Sequence, residues 1–226
     1  MLGPRLHSAY LYGSVARGDA VPGRSDLDLV AVLTGPPSEA DRAAADRAAR
    51  DLEARFGFLS GAAVVLGSLA EVTAPDQRYG WQPFLRELSF RIAGTDLRPG
   101  FPRTRPSPEL AAGFHADTPA VLARARVVLA GPDPPPGKAR AAARLLVRAA
   151  FAVVMAADGV WATVLEEQAA IVTRAVPAWA GPVALAVSLG RAADPDPGAV
   201  LGLLTTFWPE VEAAMSHAFE PSRPEL

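Results

Sequence analysis

Residues 12–33 read YGSVARGDAVPGRSDLDLVAVL, and the fold turns on this stretch. It holds a Gly-Ser pair, Gly13 and Ser14, then a gap of eleven residues. Two aspartates one residue apart follow, Asp26 and Asp28, leading into an unbroken apolar run. HSAYLYGS reads as a short strand ending at a glycine turn, and DLDLVAVL as a second strand. Strand side chains alternate between faces, so Asp26 and Asp28 share one face while Leu27 and Leu29 point the other way, into a core. Neighbouring carboxylates repel unless a cation lies between them. A hard divalent ion such as Mg²⁺ meets that need and also binds phosphate oxygens. Gly13 permits a tight turn and close approach of backbone N–H groups to a ligand. Ser14 adds a hydroxyl donor, and residues 15–20 read as a short helix whose N-terminal end favours anions. The chemistry implied is in-line attack on a nucleotide α-phosphate.

Outward from this stretch, residues 38–55 form a helix by composition, with Ser38 as N-cap and Glu39 and Asp41 in the first turn. Residues 58–69 give a third apolar run of strand length. Strands with an intervening helix argue α/β or α+β organisation. Residues 73–108 are punctuated by Pro and Gly, with a short helix expected at 82–93. The segment GTDLRPGFPRTRPSP (94–108) is the best domain boundary. Beyond it, helices are expected at 108–130, 138–158 (closed by Gly159), 163–175, 179–191 and 197–218, with no convincing strand. The expectation is therefore an α+β domain with a small mixed sheet over 1–105 and an all-α helical bundle over 106–226. There is no internal repeat and no low-complexity segment beyond the final EPSRPEL.

Composition narrows the function classes. The chain has 226 residues, half of them hydrophobic, with a net charge of −2, so its core needs no staples. The absence of cysteine excludes disulfides, thiolate metal sites and a cysteine nucleophile. Charge interrupts every apolar segment before the ~20 residues a bilayer span requires. With no apolar leader at its N-terminus, the protein is expected in the cytoplasm. A near-neutral charge balance argues against nucleic acid as partner and for small-molecule or protein substrates. Oligomeric state is open.

In order and spacing, the strand, Gly13-Ser14, Gly18, Ser25 and DLDL resemble the polymerase-β-like nucleotidyltransferase superfamily, whose signature is GS-x-x-x-G followed by D-x-D on the next strand. The resemblance implies that Gly13, Ser14 and Ser25 hold the nucleotide and that Asp26 and Asp28 are catalytic ligands of Mg²⁺. FLRELSF (84–90), the Gly/Pro-rich linker and GVWATVLEEQAAIVTRAVPAW (159–179) are similar in layout to the aminoglycoside adenylyltransferases of the streptomycin/spectinomycin type. Those enzymes bind ATP and antibiotic between an N-terminal nucleotidyltransferase domain and a C-terminal helical domain. The implied activity is transfer of AMP from ATP to a hydroxyl of a small molecule, aminoglycoside-like or another natural product.

The chain departs from that pattern in two places. The superfamily usually carries a third carboxylate on the next strand, completing the metal site or acting as base. Here Gly61, Ala62 and Ala63 occupy that region. Glu87 is the substitute put forward as catalytic, against the plainer reading of a surface ion pair with a neighbouring arginine. Glu71 and Asp19 are lesser candidates. In the helical domain the sequence is EEQAA, with Glu166 and Glu167, where the relatives have a K-D-x-A-A-like stretch. Lys138, Arg140, Arg144 and Arg148 fall along one helix face, and Arg148 is the nucleotide-binding candidate among them. His7, His115 and His217 lack ligand spacing. Trp161, Trp179 and Trp208 read as bundle core, with Trp161 able to line a cleft. A second function follows from the missing acid: a catalytically impaired protein of this fold, binding a nucleotide or a partner protein as a regulatory, antitoxin-like module.

Overall fold

A computed structural model describes residues 3–219, so the EPSRPEL stretch lies outside the described residues. The chain divides into two compact units, Met1–Thr104 and Arg105–Leu226.

The first unit is built on a four-stranded mixed sheet. Its strands are β1 (Leu6–Tyr12), β2 (Leu27–Leu33), β3 (Ala62–Ser68) and β4 (Ser89–Gly94), in the order β3-β2-β1-β4. β1 runs antiparallel to both β2 and β4, while β2 and β3 are parallel. That parallel pair requires a crossover, supplied by α2 (Glu39–Arg55), which packs against β3. The start of α2 is fixed by a capping box: Ser38 Oγ accepts the Asp41 N–H at 3.2 Å, and Asp41 Oδ2 accepts the Ser38 N–H at 2.8 Å. Arg5 adds an ion pair to the same carboxylate at 2.6 Å. Among the described residues of the unit, three shorter α-helices accompany the sheet: α1 (Gly13–Arg17), α3 (Leu69–Val72) and α4 (Trp81–Leu88).

Alternation places Tyr10, Val30 and Val32 on one sheet face, where they pack with Val72 of α3, Leu85 of α4 and Phe101. All but Phe101 are fully buried. A buried Val or Leu contributes about 1.5–3 kcal/mol, so this small cluster carries much of the unit's stability. The Tyr10 hydroxyl, within this core, accepts the Leu97 N–H at 3.0 Å and satisfies its polar end there. The same face, one step toward the end of β1, carries Tyr12 and its register partner Asp28.

The helix expected at 82–93 is half helix and half strand. It ends at Leu88, and SFRIAG becomes β4, pairing Ser89 with Tyr12 and Phe90 with Leu11. The pairing partner is far away in sequence, which local periodicity does not register.

The second unit is helical throughout its described residues: α5 (Pro108–His115), α6 (Thr118–Leu129), α7 (Pro136–Asp158), α8 (Leu165–Ala175), α9 (Ala180–Arg191), α10 (Pro197–Thr206) and α11 (Trp208–Ala218). α7 is central, packing against each of the other six, and its Ala/Val/Leu residues dominate the core. It ends at Gly159, whose φ of 64° forms the left-handed cap. Two of the long helices expected from sequence are broken into α5–α6 and α10–α11. In each case a proline, Pro119 or Pro209, sits in the first turn of the second helix. Proline has no N–H to donate to the preceding turn, so a new helix starts there instead of the old one continuing. The α+β unit with a small mixed sheet, followed by a helical region, agrees with the expected fold class. Among the described residues no helix is long and apolar enough to cross a membrane.

Candidate active site

The candidate site forms where β1 ends and β2 begins. Their antiparallel register sets Tyr12 opposite Asp28. The chain then turns out of the sheet at Gly13, with φ of +73°, into α1. Asp28 rests directly on this turn. A β-carbon at Gly13 would stand 2.5 Å from Asp28 Oδ2, so only the bare α-carbon of glycine leaves room for the carboxylate. Backbone conformation and space thus both demand glycine here. α1 closes at Gly18, and Ser14 O accepts the Asp19 N–H at 3.1 Å. Asp19 itself pairs with Arg17.

Asp26 lies just before β2, and the loop ahead of β3 is fastened to it. The Ser60 hydroxyl donates to Asp26 Oδ1 at 2.5 Å, and the Ser60 N–H donates to Ser25 O at 3.1 Å. The Leu27 N–H donates to Gly61 O at 2.9 Å, continuing the parallel ladder that pairs Leu27 with Ala62 and Asp28 with Ala63. Gly61 therefore flanks Asp26 on the next strand. A β-carbon at Gly61 would stand 3.3 Å from Asp26 Oδ1. Position 61 is thus where a side chain on that strand would meet Asp26, and the chain has none there. Ser25, expected at the nucleotide, uses its hydroxyl to accept the Val21 N–H at 2.8 Å, which shapes the loop between the two motifs.

Glu87 pairs with its neighbour Arg86. It lies near the end of α4, 3.5 Å from Arg86 Nε, and lines an open cleft of about 420 Å³ with Arg86, Asp96, Arg98, Pro99 and Arg103. Arg86 and Arg98 are tied up within that cleft's wall. Arg86 Nη1 donates to the carbonyls of Arg98 and Phe101, and Arg98 pairs with Asp96. Glu71 reaches back to cap α3 and accepts the Trp81 Nε1–H at 3.2 Å. Among the described residues, no three His, Cys, Asp or Glu side chains gather as a metal-holding group. Mg²⁺ does not require three: it is commonly held by one or two carboxylates, with water and substrate phosphate oxygens completing its octahedron. Asp26 and Asp28, with the open cradle left by Gly13, fit that demand. The carboxylate that sequence reasoning missed is Glu53, near the end of α2. Its Oε1 accepts the Ala62 N–H at 2.7 Å and lies 3.9 Å from the β-carbon point of Gly61. Nothing in the local pattern marks it, because its position depends on how α2 packs on β3.

In the helical unit, Arg148 is on an exposed position of α7. Its charge, after burial, helps to push the His115 imidazole down to about 4. Arg144 Nε donates to Gly190 O at 2.8 Å. Glu166 forms a two-point ion pair with Arg191, both contacts at 2.5 Å, and that pairing holds its carboxyl below the usual range. Trp179 and Trp208 are buried core residues as expected, while Trp161 is partly exposed and packs near Phe114, ring centroids 6.2 Å apart.

Residues 3–71, the segment containing the turn, both aspartates, α2 and β3, match the family model of the nucleotidyltransferase domain. Over this segment the first unit is similar to the nucleotidyltransferase domain, the domain of enzymes that transfer a nucleotidyl group. Among solved structures, the chain is similar to spectinomycin adenyltransferase AAD(9) from Enterococcus faecialis, determined with ATP and spectinomycin. Identity is 13% over 96% of this chain and 92% of that one, with a TM-score of 0.50, so the likeness is one of fold. No curated protein sequence matches the chain.

Proposed function

We propose that this protein is a Mg²⁺-dependent adenylyltransferase that moves AMP from ATP to a hydroxyl group of a small molecule, an aminoglycoside-like compound or another natural product, in the cytoplasm. The observation that carries the proposal is the fit of Asp28 against the bare α-carbon of Gly13, with Asp26 held alongside by Ser60. Asp26 and Asp28 would hold Mg²⁺. When bound, the ion neutralises charge on the triphosphate and on the leaving pyrophosphate. Gly13 and Ser14 offer a backbone N–H and a hydroxyl to phosphate oxygens. Ser25 serves the same site indirectly, by fixing the loop that presents Asp26. Arg148 remains a candidate cation for the triphosphate.

The reading is tested by titrating ATP into the protein by calorimetry, with and without Mg²⁺, beside Asp26→Asn and Asp28→Asn. These substitutions keep side-chain volume and remove charge. Mg²⁺-dependent binding that falls at least about tenfold in each variant, a loss of about 1.4 kcal/mol, is expected. Pyrophosphate release with spectinomycin and streptomycin as trial acceptors then tests transfer. Absence of Mg²⁺-dependent ATP binding in the folded wild type would overturn the proposal.

A second reading is favoured by one observation: Gly61 offers no side chain where a third carboxylate would stand. On that reading the site binds Mg²⁺ and ATP without turnover, and the protein acts as a regulatory module toward a partner. Tight ATP binding with no pyrophosphate release for any acceptor would favour it.

A further inference from the structure

We propose that Glu53, reaching across from α2, is the catalytic base that the β3 strand lacks. This rests on the nucleotidyl-transfer reading above and goes beyond it by assigning the proton acceptor.

Register sets position 61 beside Asp26, and the geometry agrees: a β-carbon on Gly61 would lie 3.3 Å from Asp26 Oδ1. The same point lies 3.9 Å from Glu53 Oε1. A carboxylate from a different element therefore comes within van der Waals reach of the place where a side chain at position 61 would start. Glu53 is also held in place. Oε1 is anchored by the Ala62 N–H at 2.7 Å, and α2 is fixed at its other end by the Ser38–Asp41 capping box and along its length by packing on β3. Among the described residues no hydrogen bond occupies the second oxygen, Oε2. One oxygen fastened to the backbone on the Asp26 side of Gly61, and a second oxygen with no hydrogen bond among the described residues, is an arrangement suited to a positioned base. Ser60, meanwhile, donates to Asp26 Oδ1, the oxygen nearest the Gly61 β-carbon point.

The acceptor hydroxyl oxygen forms a bond to the α-phosphorus of ATP, and the bond from that phosphorus to the bridging oxygen of the β-phosphate breaks. Pyrophosphate leaves with the bridging oxygen and its electron pair. The hydroxyl proton passes to Glu53 Oε2.

The test uses the full chain and three variants: Glu53→Gln, Gly61→Glu, and the two combined. Gln at 53 retains an oxygen to accept the Ala62 N–H, so strand anchoring survives while the base is lost. Two quantities are read: calorimetric affinity for ATP with Mg²⁺, and single-turnover pyrophosphate release with spectinomycin or streptomycin. Support is a fall of about a hundredfold or more in the release rate for Glu53→Gln, with ATP affinity within about twofold of wild type. Recovery in the combined variant, where the carboxylate returns on β3, would complete it. Release within threefold of wild type for Glu53→Gln would overturn the assignment. So would a parallel loss of ATP affinity, which would make Glu53 a structural or nucleotide-binding group. Release that appears only when Gly61→Glu is introduced would show that Glu53 does not serve as base, while leaving the nucleotide site intact. A wild type that binds no ATP with Mg²⁺ would refute the proposed function itself, and Glu53's role with it.

Discussion

Replacing Gly13 with alanine tests the site where two demands coincide. The first is backbone conformation: at φ of +73°, an L-residue costs about 1–2 kcal/mol. The second is space: the new methyl would stand 2.5 Å from Asp28 Oδ2, so the carboxylate must swing out of the cradle. Gly159 separates the two effects. It has a φ of +64° at the end of α7, and nothing lies within 4 Å of its β-carbon point. Gly159→Ala therefore meets the conformational cost alone. Both variants should lower the apparent Tm by about 2–8 °C, the shift that 1–2 kcal/mol produces in a chain of this size. Only Gly13→Ala should also weaken Mg²⁺-dependent ATP binding, by about tenfold or more, measured by titration calorimetry. Equal ATP affinity in Gly13→Ala and Gly159→Ala would refute the reasoning, because it would mean that the carboxylate's position against Gly13 has no part in nucleotide binding.

Two further predictions concern pH in the helical unit. The folded-state pKa of His115 is pushed down to about 4 by burial and then by the Arg148 charge, so the unfolded chain takes up the proton first. Its contribution to stability is full above about pH 6.5, declines as pH falls toward about 4, and is on the order of 3 kcal/mol across that window. Urea denaturation at pH 7.5 and pH 5 should show wild type losing about 2 kcal/mol more than His115→Leu over that interval. Parallel losses in the two proteins would refute it. The Glu166–Arg191 pair is half exposed, with side-chain exposures of 51% and 45%, so screening limits its value. Arg191→Ala should cost less than about 1 kcal/mol at pH 7. Because pairing depresses the Glu166 pKa, that cost is present above the ordinary carboxyl range and vanishes as pH falls through the folded value. A larger loss, or one that persists at pH 3, would show that the pair does more than its exposure allows.

Several elements were legible because their causes are local. Gly13, Ser14, Asp26 and Asp28 are marked by type and spacing, and alternation along DLDLVAVL is enough to put the two acids on one face. Ser38 with Asp41 announces the start of α2, and Gly159 announces the end of α7. Within the long helical runs, the breaks before Thr118 and Trp208 were present in the sequence as Pro119 and Pro209 but were outweighed by continuous apolar texture. The strand β4 was not legible at all. SFRIAG continues the helical pattern of the residues before it, and it becomes a strand only because β1 offers an unpaired edge some eighty residues earlier in the chain.

The candidate parts of the site were nameable from sequence alone, since a Gly-Ser pair and two carboxylates at strand spacing are chemical facts that hold wherever the chain folds. Which further carboxylate comes to Gly61, next to Asp26, was decided by the tertiary structure. Glu87, close to a promising motif, pairs with Arg86 and lines a cleft with Asp96, Arg98 and Arg103. Glu53, unremarkable on a helix rich in charge, came to the empty side of Gly61. Proximity of this kind is set by strand register and by the packing of α2 on β3, long-range contacts that no local pattern of residues encodes.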